Sequence, residues 1–300
     1  MSTIVTTRHA EPHGRLAPVA AEPKSRGAAV RPSLPGSPSA SRLGRLVAVL
    51  AALVLALFLL LPLVAMAGRA VVERGEWDAA TWETLRQALR LSLVTTVVSL
   101  LLTLVAGTPL AWAVGRRSFR RAALVDALVD LPIVLPPAVA GIALLMAFGR
   151  YGLLGQYLNL FGVTIGFTTA AVVLAQLFVS APFYVRAATA AFARIHREVE
   201  ESAADLGAPP GTVLRTITLP MALPGLLAGA TLAWARALGE FGATIMFAGN
   251  FPGVTQTMPL AIYGAFGAGN LATALLLSTI LLLVSGLVLV AVRWIAQHDW

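Results

Sequence analysis

The sequence has no cysteine and only one lysine, Lys24, among its 300 residues. Without cysteine the chain cannot form disulfide bonds or thiolate metal sites. A phosphate-binding loop of the form G-x4-G-K-[ST] needs a lysine directly after a glycine, and Lys24 follows a proline. The chain therefore has no such loop of its own, and any ATP that drives its function must bind to another chain.

Histidine is also scarce, with four residues at His9, His13, His196 and His298. The H-E-x-x-H motif that metalloprotease chemistry requires is missing. All four histidines lie outside the long apolar runs of the chain, which disfavours a hydrolase that uses histidine inside a membrane. The chain is therefore not expected to be an enzyme.

Apolar residues are abundant instead. They make up 58% of the sequence, the mean hydropathy is +0.81, and this leaves too little polar surface for a soluble globule. Six apolar runs are each near the ~20 residues that a helix needs to cross a bilayer. They cover 46–67, 90–114, 122–148, 168–192, 220–247 and 271–295. The sequence predicts an all-α, polytopic membrane protein with six transmembrane helices.

The basic residues predict the orientation of these helices, because Lys and Arg near span ends are retained in the cytoplasm. Fifteen of the 22 basic residues lie on one side of the membrane: seven before the first span, four within 116–121, three within 194–215, and Arg293. Five lie on the other side, and Arg186 and Arg236 lie inside spans. Both termini are thus expected in the cytoplasm. The net charge of +8 reflects this topology and gives no sign of nucleic-acid binding.

The N-terminal region, residues 1–43, is rich in Pro, Ser, Ala and Arg and lacks apolar periodicity. This composition predicts a disordered basic tail in the cytoplasm, which could also touch anionic lipid. The first transmembrane helix is expected over 44–68. Ala65-Met66-Ala67 resembles a signal-peptide cleavage site, so cleavage after Ala67 is the alternative. The apolar run of about 19 residues exceeds the ~7–15 of a signal peptide, which favours a retained helix.

A patterned polar segment, 197–220, separates the fourth and fifth spans. Val199, Ala203 and Leu206 recur at helical spacing, and acidic residues form a stripe on another face. Gly207 suits a left-handed helix cap, and the following "APPG" ends the helix and makes a turn. A rigid helix-turn-helix at this place could transmit force from a partner, and an ordinary connector is the alternative.

The same segment carries a resemblance to a known family. Permease subunits of ABC importers have the cytoplasmic signature E-A-A-x3-G-x9-I-x-L-P before the next-to-last span. It is matched in spacing by Glu201, Ser202, Ala203, Gly207, Ile217, Leu219 and Pro220, with Ser202 in place of alanine. The resemblance covers roughly 85–296 and implies the type I ABC importer permease fold. In that family this segment is the coupling helix that docks into a cleft of the ATPase subunit.

The substrate class is suggested by "ARALGEFGATIMFAGNFPGVTQTMPLAIY" (235–263), which is most similar to the molybdate permeases. Sulfate permeases share "ARALGEFG", whereas the pattern from Gly249 to Tyr263 fits molybdate better. A sulfate or thiosulfate permease is the first alternative. A secondary transporter or channel is the second, which a stable complex with a P-loop ATPase would exclude.

The resemblance also implies partners and a location. We expect a homodimer of permease subunits, two ATPase subunits that bind ATP and Mg, and a periplasmic or lipid-anchored oxyanion-binding protein. No cofactor is expected in this chain. The bacterial inner membrane is the expected location, and alternating access the expected mode of transport.

Charged residues inside spans are costly unless they are paired or line water. Arg236 and Glu240 are four residues apart on the fifth predicted span, so they either form a structural pair or serve an anion path. Asp126 and Asp130, early in the third predicted span, could partner Arg186 or Arg236, and for Asp126 a polar cytoplasmic helix end is the favoured interpretation.

Two further stretches interrupt regular helix. The run "PIVLPP" predicts kinks in the third span, and the uncharged loop "FAGNFPGVTQT" lies after the fifth. Asn250 and Thr255 in that loop are candidates for the translocation pathway. The alternative, which we favour, is that they make turns.

Overall fold

The computed structural model describes residues 42–73, 77–116 and 121–298. The predicted tail over 1–43 lies outside these ranges except for its last two residues. The elements in these ranges are, in order, α1 (Arg42–Val72), α2 (Ala79–Gly115), α3 (Ala122–Val134), α4 (Pro137–Phe148), α5 (Gly155–Leu160), α6 (Thr169–Ala193), α7 (Arg197–Asp205), α8 (Pro210–Val213), a π-turn (Leu214–Thr218), α9 (Leu219–Leu238), α10 (Gly242–Ala248), α11 (Met258–Gly267) and α12 (Leu271–His298).

Five helical stretches of the described chain are long and apolar enough to cross a membrane, and the bent pair of α3 and α4 brings the number to six if it is one span. The prediction of an all-α polytopic protein is therefore confirmed. The described chain divides into two units, one that ends at Ala56 and one that begins at Leu57. The described part of the first unit is the start of α1, in which the side chains from Leu46 to Ala56 are exposed and apolar, as suits contact with lipid.

The core of the second unit lies between α2, α6 and α9. Glycines let these helices approach closely: a Cβ on Gly107 of α2 would lie 3.0 Å from the Tyr184 ring of α6. A Cβ on Gly229 of α9 would lie 2.7 Å from the Ala187 Cβ of the same helix α6. Small residues at such contacts replace the hydrophobic driving force that helices lack inside a bilayer.

The third predicted span, 122–148, is two helices and not one. Its halves, α3 and α4, meet at an angle of 115°. Pro136 and Pro137 have no backbone N–H to continue the helix, and Pro137 instead begins α4. α4 then packs on α10, where a Cβ on Gly141 would lie 2.6 Å from the Ala243 carbonyl oxygen. The proline run predicts a kink at this place, and the packing of α4 on α10 sets the angle between α3 and α4.

The fifth predicted span, 220–247, extends too far at its C-terminal end. The helical stretch runs from Pro210 to Leu238 through the π-turn. Residues 239–241 are not helical, and α10 begins at Gly242. The break lies where the side chain of Glu240 accepts a hydrogen bond from the backbone of α10.

Candidate functional sites

The first candidate site is the segment 197–220, in which α7 ends in a Schellman motif. The Gly207 N–H donates to the Ala204 carbonyl at 2.9 Å, and the Ala208 N–H donates to the Ala203 carbonyl at 3.1 Å. Gly207 has a φ of +89°, a conformation that costs glycine little because it has no Cβ. The predicted left-handed cap at Gly207 is confirmed.

Two prolines and a π-turn direct the chain back into the bundle after α7. Pro209 precedes α8, and Pro210 occupies its first turn. The π-turn closes when the Leu219 N–H donates to the Leu214 carbonyl, five residues earlier. Pro220 then lacks the N–H that would extend a regular hydrogen-bond ladder. The predicted second helix thus exists, with an irregular turn that contains Ile217, and Leu219 and Pro220 are the first two residues of α9.

The outer surface of α7 combines acidic and apolar side chains. Glu201 and Ser202 are exposed, and the Ser202 hydroxyl donates to the Glu198 carbonyl at 2.6 Å, so the serine leaves no unpaired donor. Val199 and Leu206, which the pattern placed on the apolar face, are 40% and 90% exposed. This face is therefore not covered by the described part of the chain.

The inner side of α7 is held by a polar cluster that the sequence interpretation missed. Arg116, at the end of α2, donates through Nη2 to Glu200 Oε1 at 2.5 Å and through Nη1 to the Ile195 carbonyl at 3.1 Å. The Thr218 hydroxyl, at the end of the π-turn, donates to the same Glu200 oxygen at 2.5 Å. Arg197 returns a hydrogen bond to the Arg116 carbonyl at 3.0 Å. The cluster joins α2, α7 and α9.

The second candidate site is the pair that Arg236 and Glu240 form at the end of α9. Arg236 Nη1 lies 2.7 Å from Glu240 Oε2. The other oxygen, Oε1, accepts from the Ala243 N–H at 2.7 Å, so both carboxylate oxygens are bonded. The Glu240 side chain is 1% exposed and that of Arg236 is 28% exposed. The pair therefore ties the end of α9 to the start of α10.

The third charged group within the spans is Arg186 on α6. It pairs with both Asp126 and Asp130 of α3, and its Nη1 lies 3.1 Å from Asp126 Oδ2. The structure thus gives Arg186, not Arg236, as the partner of both aspartates, including Asp126, for which a polar helix end is the interpretation that the sequence favours. No group of three His, Asp or Glu side chains in the described ranges is placed to hold a metal ion.

The loop after α10 is a compact turn. The Phe251 carbonyl accepts hydrogen bonds from the N–H groups of Val254, Thr255 and Gln256. The Thr255 hydroxyl is fully buried and accepts from the Phe251 N–H at 2.9 Å. Asn250 donates to the Leu260 carbonyl at 3.2 Å, and its Oδ1 is buried with no hydrogen-bond partner in the part of the chain that the structure describes. Thr255 therefore stabilises the turn, as the alternative interpretation predicted, and Asn250 keeps a free acceptor.

The bundle of spans, with a capped helix-turn-helix between two of them, defines the membrane component of an importer. Residues 107–298 match the family described as binding-protein-dependent transport system inner membrane component. The chain belongs to this family and is a multi-pass inner-membrane protein. Membership of this family excludes the alternative that the chain is a secondary transporter or a channel.

Comparison with individual proteins shows which permeases are similar in sequence to this chain. The chain is similar to the molybdenum transport system permease protein ModB of Mycobacterium tuberculosis, with 46% identity over 235 residues, which are 78% of this chain and 88% of the relative. A probable sulfate transport system permease protein, cysT of Nephroselmis olivacea, is 34% identical over 220 residues, covering 73% of this chain and 78% of the relative.

Solved structures establish the fold. A bacterial ABC transporter involved in the import of the acidic polysaccharide alginate aligns with a TM-score of 0.66 and 16% identity, covering 85% of this chain and 96% of that chain. At this identity the likeness concerns the fold alone. The predicted type I ABC importer permease fold is confirmed.

Proposed function

We propose that this chain is the pore-forming permease subunit of an ATP-driven importer that carries molybdate. The observation that carries the proposal is the 46% identity to a molybdenum transport permease over 88% of that relative, against 34% identity to the sulfate relative. Molybdate and sulfate are similar tetrahedral dianions, so a sulfate or thiosulfate importer is the second candidate.

The segment 197–220 is proposed to dock an ATPase subunit. α7 is a short helix with a fixed cap, and it presents Glu201 and Leu206 outward, a mixture of charge and apolar surface that suits a cleft in another protein. Two copies of this chain would then bind two ATPase subunits, which hold ATP and Mg. Docking in the cytoplasm would place both termini of the chain there as well, in agreement with the distribution of arginines.

The translocation path is proposed to pass Arg236. A dianion in a low-dielectric passage needs a compensating positive potential. Arg236 is held by Glu240 and still has 28% of its side chain exposed. The buried, unpaired Oδ1 of Asn250 could accept a hydrogen bond from a neighbouring subunit or from water at the outer end of the path.

Co-purification and uptake test this function. The chain, expressed with its neighbouring genes and extracted in mild detergent, should carry a P-loop ATPase and an oxyanion-binding protein. In vesicles that contain ATP, radiolabelled molybdate should be taken up, and excess sulfate should compete poorly. Efficient competition by sulfate would favour the second candidate, and uptake without any ATPase would refute the proposal.

A further inference from the structure

Three elements meet at one carboxylate, that of Glu200 on α7. Its Oε1 accepts from Arg116 Nη2 of α2 and from the Thr218 hydroxyl, each at 2.5 Å. We call Arg116, Glu200 and Thr218 the clasp. Arg116 and Glu200 are separated by 84 residues in the chain, so the clasp connects elements that no short loop joins.

The clasp is largely shielded from water. The side chains of Arg116 and Glu200 are 10% and 22% exposed, and Thr218 is 2% exposed. Hydrogen bonds between charged groups are shorter and stronger than neutral ones, and partial burial reduces their screening. The Arg116 Nε is already buried without a hydrogen-bond partner among the described residues. Loss of the Glu200 carboxylate would therefore leave the charge of the guanidinium uncompensated.

Besides the clasp, the hydrogen bond from Arg197 to the Arg116 carbonyl also holds α7 in place. None of the nine residues of α7 is buried, and Val199 and the C-cap residue Leu206 face outward. A helix of this length is not stable by itself, and its position must come from contacts with the rest of the protein. The clasp is the contact that supplies both a charge pair and a second hydrogen bond on the inner side of α7.

The clasp also reaches an irregular part of the backbone. Thr218 is the last residue of the π-turn that leads into α9. A π-turn contains one residue more per turn than an α-helix, and such turns are common at functional sites. A displacement of α7 would therefore act through Glu200 on the end of α2 and on the one π-turn in the described chain.

We propose that Glu200 is a positioning residue of the transport cycle, which makes α7, the end of α2 and the start of α9 move together. It acts through Arg116 and Thr218 and touches neither substrate nor nucleotide. The inference rests on the proposed function, because it assumes that α7 receives movement from an ATPase.

The test measures molybdate imported per ATP hydrolysed in reconstituted complexes. We expect Glu200→Ala to lower this ratio about tenfold, the factor that corresponds to losing a hydrogen bond to a charged group. Glu200→Gln keeps an oxygen that accepts from Thr218, so it should recover part of the loss. Thr218→Val should also lower the ratio. Its matched control is Thr216→Val in the same π-turn, because the exposed Thr216 hydroxyl donates to the Thr212 carbonyl, four residues earlier, at 2.8 Å and not to Glu200.

A merely structural role would lower the amount of complex, or reduce uptake and ATP hydrolysis in the same proportion. In both cases the molybdate imported per ATP hydrolysed by the assembled Glu200→Ala complexes would be unchanged, and this result overturns the proposal. If Glu200→Ala does not assemble, the ratios of Glu200→Gln and Thr218→Val decide the question, and wild-type ratios in both overturn it.

A second measurement separates this inference from the proposed function. If the wild-type complex imports no molybdate, the proposed function fails, and amide hydrogen exchange of the purified chain then tests the clasp. Exchange in α7 should be about tenfold faster in Glu200→Ala than in Thr216→Val, since one charged hydrogen bond no longer opposes local opening. Equal exchange in the two variants would show that the clasp does not hold α7.

Discussion

The Arg236–Glu240 pair predicts an asymmetric response when its two members are changed. Glu240 is 1% exposed and Arg236 is 28% exposed. Arg236→Ala leaves a buried carboxylate that keeps only the Ala243 N–H, and we expect a destabilisation of about 3–5 kcal/mol. Glu240→Gln leaves an arginine that reaches solvent and retains an oxygen for Ala243, so we expect only about 1–2 kcal/mol.

The double variant, Arg236→Ala with Glu240→Gln, removes both charges and keeps the acceptor for the Ala243 N–H. Part of the lost stability should return, because the double variant should lose about 2–3 kcal/mol less than the sum of the two single losses, and this difference is the coupling energy of the two positions. Denaturant titration of the purified permease in detergent measures the unfolding free energy of each variant. Equal losses in the two single variants, or losses that simply add, would contradict the importance of the buried carboxylate.

Uptake by the same double variant tests the role of Arg236 in transport. We expect the variant to assemble and to import molybdate poorly, because the dianion then lacks a positive potential that Arg236 supplies. Uptake is measured as oxyanion imported per assembled complex. Uptake at the wild-type level would leave Arg236 as a packing residue only.

Three further predictions concern single positions. Gly207→Val should cost ~1–2 kcal/mol in the left-handed cap and reduce co-purification with the ATPase, whereas Gly207→Asn, which tolerates this conformation, should not. Gly141→Ala should cost ~1–3 kcal/mol by overpacking α4 against α10 and lower the unfolding midpoint, whereas Gly267→Ala meets open space. The Thr81 N–H donates to Asp78 and lowers the pKa of that carboxyl below its ordinary 3.8. The stabilisation by this N-cap is thus fully present above pH 3.8 and is lost as the pH falls through the lowered pKa. Hydrogen exchange of the Thr81 amide as a function of pH, compared with that in Asp78→Asn, would measure this loss.

Local features of the fold could be predicted because their causes are local. A left-handed cap favours a residue without a Cβ, and the glycine at 207 follows a helical pattern directly. The long apolar runs predict spans because a bilayer requires about 20 such residues per helix. The proline run 132–137 predicts a break in the helix because each proline removes a backbone hydrogen-bond donor.

The extent of the breaks could not be predicted, because it depends on neighbours that are distant in sequence. The angle of 115° between α3 and α4 lets α4 lie against α10, where Gly141 and Gly242 allow close approach. The end of α9 at Leu238 is likewise tied to the Glu240 carboxylate, which is occupied on both oxygens. Apolar composition continues through these positions, so hydropathy alone extends the span too far.

The clasp shows why charge patterns on one helix identify outward-facing residues more readily than inward-facing ones. Glu198, Glu201 and Asp205 repeat at helical spacing and mark the exposed stripe, whereas Glu200 falls off that stripe. A carboxylate turned towards the protein is retained only when a partner compensates it, and here the partner is Arg116, at the end of another helix. In the sequence, Arg116 is one of four arginines whose count predicts only topology. In this chain Arg116 therefore has two roles: it belongs to the group of arginines that predicts the topology, and it pairs with Glu200. An acidic residue that lies off the exposed stripe of a short helix such as α7 is best interpreted together with the arginines at the ends of nearby spans.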